Sequence, residues 1–142
     1  MKRHTVDFLM LVAVVSILGC GRIRAQEPGT KSAQASTEAW LSLVDKQDYA
    51  ASWNAAASLF KNAITKEKWQ DSVKVARTPF GTMKVRTLKS ATATATLPGA
   101  PDGEYVVFQF NTSFEQKAAA IETVTAIREK DGTWHVGGYY VR

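Results

Sequence analysis

Apolar and polar residues alternate from Tyr105 to Phe114. Val106, Phe108, Phe110 and Phe114 fall on one face, with Gln109, Asn111 and Ser113 on the other beside Tyr105 and Val107. A period of two marks a strand with one buried face. Two further β-like runs, 120–129 and 133–142, meet at Asp131-Gly132. That pair predicts a tight hairpin, because Gly accepts the positive φ such a turn needs. A fourth strand is predicted over 82–96. Within it residues 91–96 alternate Ala and Thr, which places Thr on one face and an unusually small Ala surface on the other. Small residues there predict either a closely packed helix or a hollow. The stretch 97–103 holds two Pro and two Gly and reads as a loop.

Upstream the period becomes helical. Thr37, Trp40, Leu41 and Val44 share one face of a helix starting near Ala33. Residues 45–48 break it, and Asp48 is placed to cap a second helix striped by Tyr49, Trp53, Ala56, Ala57, Phe60 and Ile64. Thr65 is placed to cap a third, with Glu67 in its first turn and Trp69, Val73 and Ala76 facing inward. Pro79 and Gly81 end it. None of these helices is long enough to stand alone, so their apolar faces must share a cover. The expected fold is α+β: three N-terminal helices packed on a curved four-stranded antiparallel sheet.

The first 25 residues read differently. Lys2 and Arg3 precede an apolar run over 8–18, followed by Gly19, Cys20 and Gly21. This is the layout of a secretory signal peptide, and the run is too short for a transmembrane helix of roughly 20 apolar residues. Residues 17–20 also resemble a bacterial lipobox, in which Cys20 would carry lipid. Cleavage after Ala25 is the other route, and the residues leave both open. Residues 1–25 are thus expected to be a signal peptide (ending at Cys20 in the lipobox alternative), 26–32 a polar tether and 33–142 a single domain. The expected location is the bacterial cell envelope: the periplasm, or the outer membrane if Cys20 is lipidated. Cys20 is the only cysteine, so the domain itself carries no thiol.

Several stretches resemble the domain of unknown function 4019 family of exported bacterial proteins. They are Tyr49-Ala50-Ala51-Ser52-Trp53, Arg77-Thr78-Pro79-Phe80-Gly81, the loop from Pro98 through Tyr105, Glu122-Thr123-Val124 and Gly138-Tyr139-Tyr140. The order of elements is also similar to the NTF2-like or cystatin-like cone. That resemblance implies a pocket between helices and sheet, and it implies no particular activity.

Charge and candidate chemistry narrow the function classes. The net charge is +5, but four of 18 basic residues and one of 13 acidic residues lie in the first 25. The remaining 14 basic and 12 acidic residues form no cluster of the kind nucleic acid requires. His135 is the one histidine past the leader, and it is expected to bond backbone or water in its strand. Glu104, Glu115 and Glu122 are expected to be solvated, at strand ends or among polar neighbours. Arg77 and Arg86 would clamp an anion if the fold brings them together. The aromatic residues chiefly suit a core, with Trp53, Ala93, His135 and Tyr139 as candidate ligand-binding residues around a helix–sheet hollow. No catalytic residue, metal ligand or cofactor site is assigned. The expected function is non-catalytic binding of a small apolar ligand or an envelope protein. The alternatives are an NTF2-like isomerase or hydrolase using His135 or a buried Glu with Tyr139, and a structural module that forms a homodimer through its sheet.

Overall fold

The computed structural model describes residues 28–142. Cys20, Ala25 and the whole expected signal peptide lie outside the described residues. Four helices come first: α1 (Pro28–Asp45), α2 (Tyr49–Asn54), α3 (Ser58–Ala63) and α4 (Lys66–Arg77). A 3-10 turn, Thr78–Phe80, leads into β1 (Met83–Thr94), β2 (Tyr105–Phe114), β3 (Lys117–Arg128) and β4 (Trp134–Val141). All strand pairs are antiparallel, and the sheet order follows the chain, β1-β2-β3-β4. The helices cover one face of the sheet. Leu41 and Val44 of α1, with Trp69 and Val73 of α4, meet Val106, Phe108, Phe110, Val124 and Val136 in one core.

The expected α+β architecture is present, with two differences in the helical layer. First, α1 begins at Pro28, upstream of Ala33, so the stretch read as a tether is partly helical. Second, the stripe from Tyr49 to Ile64 is two helices, which makes four among the described residues where three were expected. The reason is tertiary. Between them Ala57 turns extended (φ −62°, ψ 152°) and donates its N–H to the carbonyl of Val136 at 2.7 Å. Backbone pairing to the edge of the sheet replaces a helical bond at that point, and Ala56 and Ala57 are both buried.

Local signals act where expected. Asp48 accepts from the N–H of Ala51, and Thr65 accepts from that of Lys68. Gly132 (φ 84°) makes the β3–β4 turn, closed by the Glu129 N–H to Thr133 O bond at 2.8 Å. In the β1–β2 connection the hydroxyl of Tyr105 donates to the carbonyl of Pro101, which ties the Pro/Gly-rich loop to the sheet. The strands are irregular at defined places. Lys84 and Lys89 are each an extra residue in β1 against β2, and Gly137 is an extra residue in β4 against β3. A Cβ on Gly137 would lie 2.2 Å from Cδ1 of Ile127, so this bulge admits glycine most readily.

Candidate functional site

One side chain from each of six elements meets between the helices and the sheet. They are Asp45 from the end of α1, Arg77 from the end of α4, Arg86 from β1, Thr112 from β2, Glu122 from β3 and Tyr139 from β4. Helical spacing aims the first two. Asp45 continues the buried Thr37/Leu41 row of α1, and Arg77 continues the Trp69/Val73 row of α4. Strand parity aims the others: Glu122 alternates with Ala120, Val124 and Ala126 on the core face of β3, and Arg86 pairs with Thr112 across β1 and β2.

Glu122 is fully buried. Its Oε1 accepts from Arg86 Nε at 2.8 Å and from the Thr112 hydroxyl at 2.6 Å. Its Oε2 accepts from the Tyr139 hydroxyl at 2.5 Å, with Arg77 Nη1 at 3.9 Å. Asp45 is equally occupied. Oδ2 accepts from Arg86 Nη1 at 2.7 Å, and Oδ1 accepts from Nη2 of both Arg86 and Arg77 at 2.9 Å. Arg77 also donates to the Tyr139 hydroxyl oxygen at 3.3 Å, and its guanidinium lies 4.7 Å from the centre of the Phe114 ring. Two cations and two anions therefore balance within one network, as burial of charge demands. Arg77 Nε and the Thr37 hydroxyl are the buried polar atoms without a hydrogen-bond partner among the described residues.

The electrostatics follow from that geometry. Burial pushes the Asp45 carboxyl upward, but the hydrogen bonds and charges of Arg86 and then Arg77 overcome it and hold Asp45 below the ordinary carboxylate value. Burial works against the Arg86 cation too, and Asp45 and Glu122 reverse it, so its proton is held more tightly than usual. Burial raises Tyr139 well above the ordinary tyrosine value, and the neighbouring Glu122 charge adds to the shift. The hydroxyl is thus a fixed donor.

Aromatic rings close the space around this network. Tyr139 lies 5.5 Å from Trp40 and 6.5 Å from Trp69 between ring centres, and Phe60 packs edge-on against Trp69 at 5.0 Å. The indole N–H groups are used as well: Trp40 donates to the Ser52 carbonyl at 2.8 Å and Trp69 to the Ser52 hydroxyl at 2.9 Å.

The four candidate ligand-binding residues are dispersed. Ala93 is exposed on β1, one edge strand, while His135 and Tyr139 belong to β4, the opposite edge. Tyr139 is buried in the network. Trp53 is half-buried, donates to the Ile64 carbonyl at 2.9 Å and has the ammonium groups of Lys61 and Lys66 over its ring. His135 is half-buried, its Nδ1 3.0 Å from the Ala55 carbonyl oxygen and its Nε2 2.8 Å from the Thr133 hydroxyl. It lines an open basin with Lys61, Glu129, Lys130 and Asp131. Glu129 also accepts from the Ser58 N–H at 2.7 Å, capping α3 in place of Ala57, which has no side-chain acceptor.

One expectation is overturned: Glu122 is not solvated but is the buried centre of the network, whereas Glu104 and Glu115 are exposed. Its parity with Val124 and Ala126 carried the signal. The two arginines do converge, and the anion they clamp is the chain's own Asp45. Among the described residues no group of three or more His, Cys, Asp or Glu is arranged to hold a metal ion.

Helices followed by an open four-stranded antiparallel sheet, with the interior between them, define an NTF2-like, ketosteroid-isomerase-like fold. Solved structures similar to this chain share that fold. A protein provisionally assigned as a ketosteroid isomerase from Shewanella frigidimarina is 14% identical, with a TM-score of 0.53 over 83% of this chain and 100% of that one. A protein from Catenulispora acidiphila is 9% identical, with a TM-score of 0.51 over 79% and 88%. Aln2 from a Streptomyces species is 12% identical, with a TM-score of 0.50 over 84% and 93%. No curated protein matches the sequence. Residues 36–139 match the family described as "Protein of unknown function (DUF4019)", and the chain belongs to that family.

Proposed function

We propose that this chain is an exported cell-envelope domain that binds a partner through its surface and catalyses no reaction. The observation that carries this reading is the saturation of the interior. A general acid or base must come within hydrogen-bond reach of a reacting atom. Glu122 is fully buried with both oxygens engaged, and the Tyr139 hydroxyl is engaged by Glu122 and Arg77 under the rings of Trp40 and Trp69. The polar basin beside His135, bearing Lys61 and Lys130 as well as Glu129 and Asp131, supports a polar contact such as a segment of an envelope protein. The export half of the reading rests on Lys2, Arg3, the apolar run over 8–18 and the two processing points, Cys20 and Ala25.

One preparation tests both halves. The protein is treated with an amine-reactive cross-linker in intact cells, recovered from its own envelope fraction, and its mass measured. The expected chain starts at a lipid-bearing Cys20 or at Gln26, and carries one discrete cross-linked envelope protein that Lys130→Glu removes. A full-length chain starting at Met1 in the cytosolic fraction overturns export. A processed chain with no cross-linked partner overturns surface binding.

A further inference from the structure

We infer that His135 is a proton-operated latch across the basin. It fastens the turn between α2 and α3 to β4 while both ring nitrogens carry hydrogen, and it lets go when one hydrogen is lost. Three contacts in series fix where the hydrogen atoms lie. The Thr133 hydroxyl stands 2.6 Å from Asp131 Oδ1, and a carboxylate has no hydrogen to give, so the hydroxyl donates. Its oxygen is therefore an acceptor toward His135 Nε2 at 2.8 Å. On the other side of the ring Nδ1 faces the Ala55 carbonyl oxygen at 3.0 Å, which only accepts. Both ring nitrogens thus face acceptors. Only the imidazolium, with two N–H donors, satisfies both.

A neutral ring has one N–H and must give up one contact. Bond strength decides which. The Thr133 hydroxyl donates to a charged acceptor, and such bonds are roughly twice as strong as neutral ones. Asp131 stays charged, because the Thr133 hydroxyl and amide hold it below the ordinary carboxylate value and the His135 charge adds to their effect. Thr133 therefore keeps its hydrogen on Asp131, and Nε2 keeps its own on Thr133. Nδ1 is left as a lone pair against the Ala55 carbonyl, and that contact opens. The other charges around the ring offset one another: Lys61 of α3 and Lys130 stand against Glu129 and Asp131, while Ala56 and Ile127, opposite His135 on β3, carry none. Ala55 ends α2, so its bond to His135 joins the α2–α3 side of the basin (Ala56, Ser58 and Lys61) to the β3–β4 side. Once it opens, the turn is held by the amides of Ala57 and Ser58 on Val136 and Glu129. A fastened wall is pre-organised for a partner. The latch thereby regulates the surface contact proposed above, and this use of it rests on that reading.

The test compares the nitrogen-15-labelled processed chain with Thr133→Val at about pH 5 and about pH 8, which bracket the ordinary charge change of histidine. His135 is the one histidine past the leader, so its ring signals are unambiguous. Thr133→Val removes the acceptor at Nε2, which leaves Nδ1 free to keep its hydrogen on Ala55. In the wild type both ring nitrogens are expected to carry hydrogen at the lower pH and Nε2 alone at the higher. In the variant Nδ1 alone is expected to carry it at the higher pH. The amides of Ala57 and Ser58 are expected to exchange about threefold to tenfold faster in the wild type than in the variant at the higher pH, and at equal rates at the lower. A wild-type ring that keeps its hydrogen on Nδ1 at the higher pH overturns the latch, as do equal exchange rates there. Neither readout needs a partner. In intact cells at the higher pH, the variant is expected to carry about threefold to tenfold more of the cross-linked envelope protein than the wild type. Equal yields beside a ring that switches overturn the regulatory role. A cross-linked protein absent from both chains overturns surface binding and that use of the latch, while the ring and amide signals still decide the latch itself.

Discussion

Replacing Glu122 with glutamine keeps its shape and removes its charge. Arg86 and Arg77 would then be buried against Asp45 alone. Breaking a buried pair in this way costs about 3–5 kcal/mol, so Glu122→Gln is expected to lower the urea midpoint by that equivalent. Tyr139→Phe removes one hydroxyl donor, and its cost is expected to be smaller, about 1–3 kcal/mol. Equal losses for the two would show that charge is not what the network contributes. The same residues shape the pH profile. Asp45 titrates below its unfolded value of 3.8 in the fold, so its contribution is full above that pH and is lost as pH falls through the lower, folded value. Tyr139 titrates well above 10.0, so the unfolded chain loses that proton first and stability falls as pH rises past 10. Unfolding curves across pH should show both limbs. Asp45→Asn should flatten the acid limb and Tyr139→Phe the alkaline one.

At the scale of the element, α1 ends in a form the sequence disguises. Gln47 has φ 62°, its N–H bonds the Val44 carbonyl at 3.0 Å, and the Asp48 N–H reaches back to the Leu43 carbonyl at 2.9 Å. This is the doubly bonded helix end usually completed by glycine. Glutamine there bears the left-handed cost that a Cβ imposes. Gln47→Gly is therefore expected to stabilise the protein by about 0.5–1 kcal/mol, measured by denaturation, and a loss of stability would mean that the Gln side chain contributes elsewhere. The turn between α2 and α3 was not legible for a different reason. Nothing in the stripe from Tyr49 to Ile64 breaks helical period, and the break comes with two long-range bonds, from Ala57 to Val136 and from Ser58 to Glu129.

Across the whole molecule, the network is the point where all four strands and the two terminal turns of α1 and α4 are tied together. The helices and the sheet of this fold enclose the room between them. In this chain that room holds Glu122, Tyr139 and the rings of Trp40 and Trp69.

Read alone, the sequence determined the strands, because alternation in residues 105–114 and the Asp131-Gly132 turn are local and each residue's partner face follows from its parity. It determined Asp48 and Thr65 as caps for the same reason, since a cap acts within three residues. Only the tertiary structure decided that Asp45, Arg77, Arg86 and Glu122 share one buried site. They lie 32 or more positions apart along most of the contacts that join them, and charge near charge is readable in space but not along a chain. It also decided that Ala93 lies apart from His135 and Tyr139, because the order of strands puts them on opposite edges of one sheet.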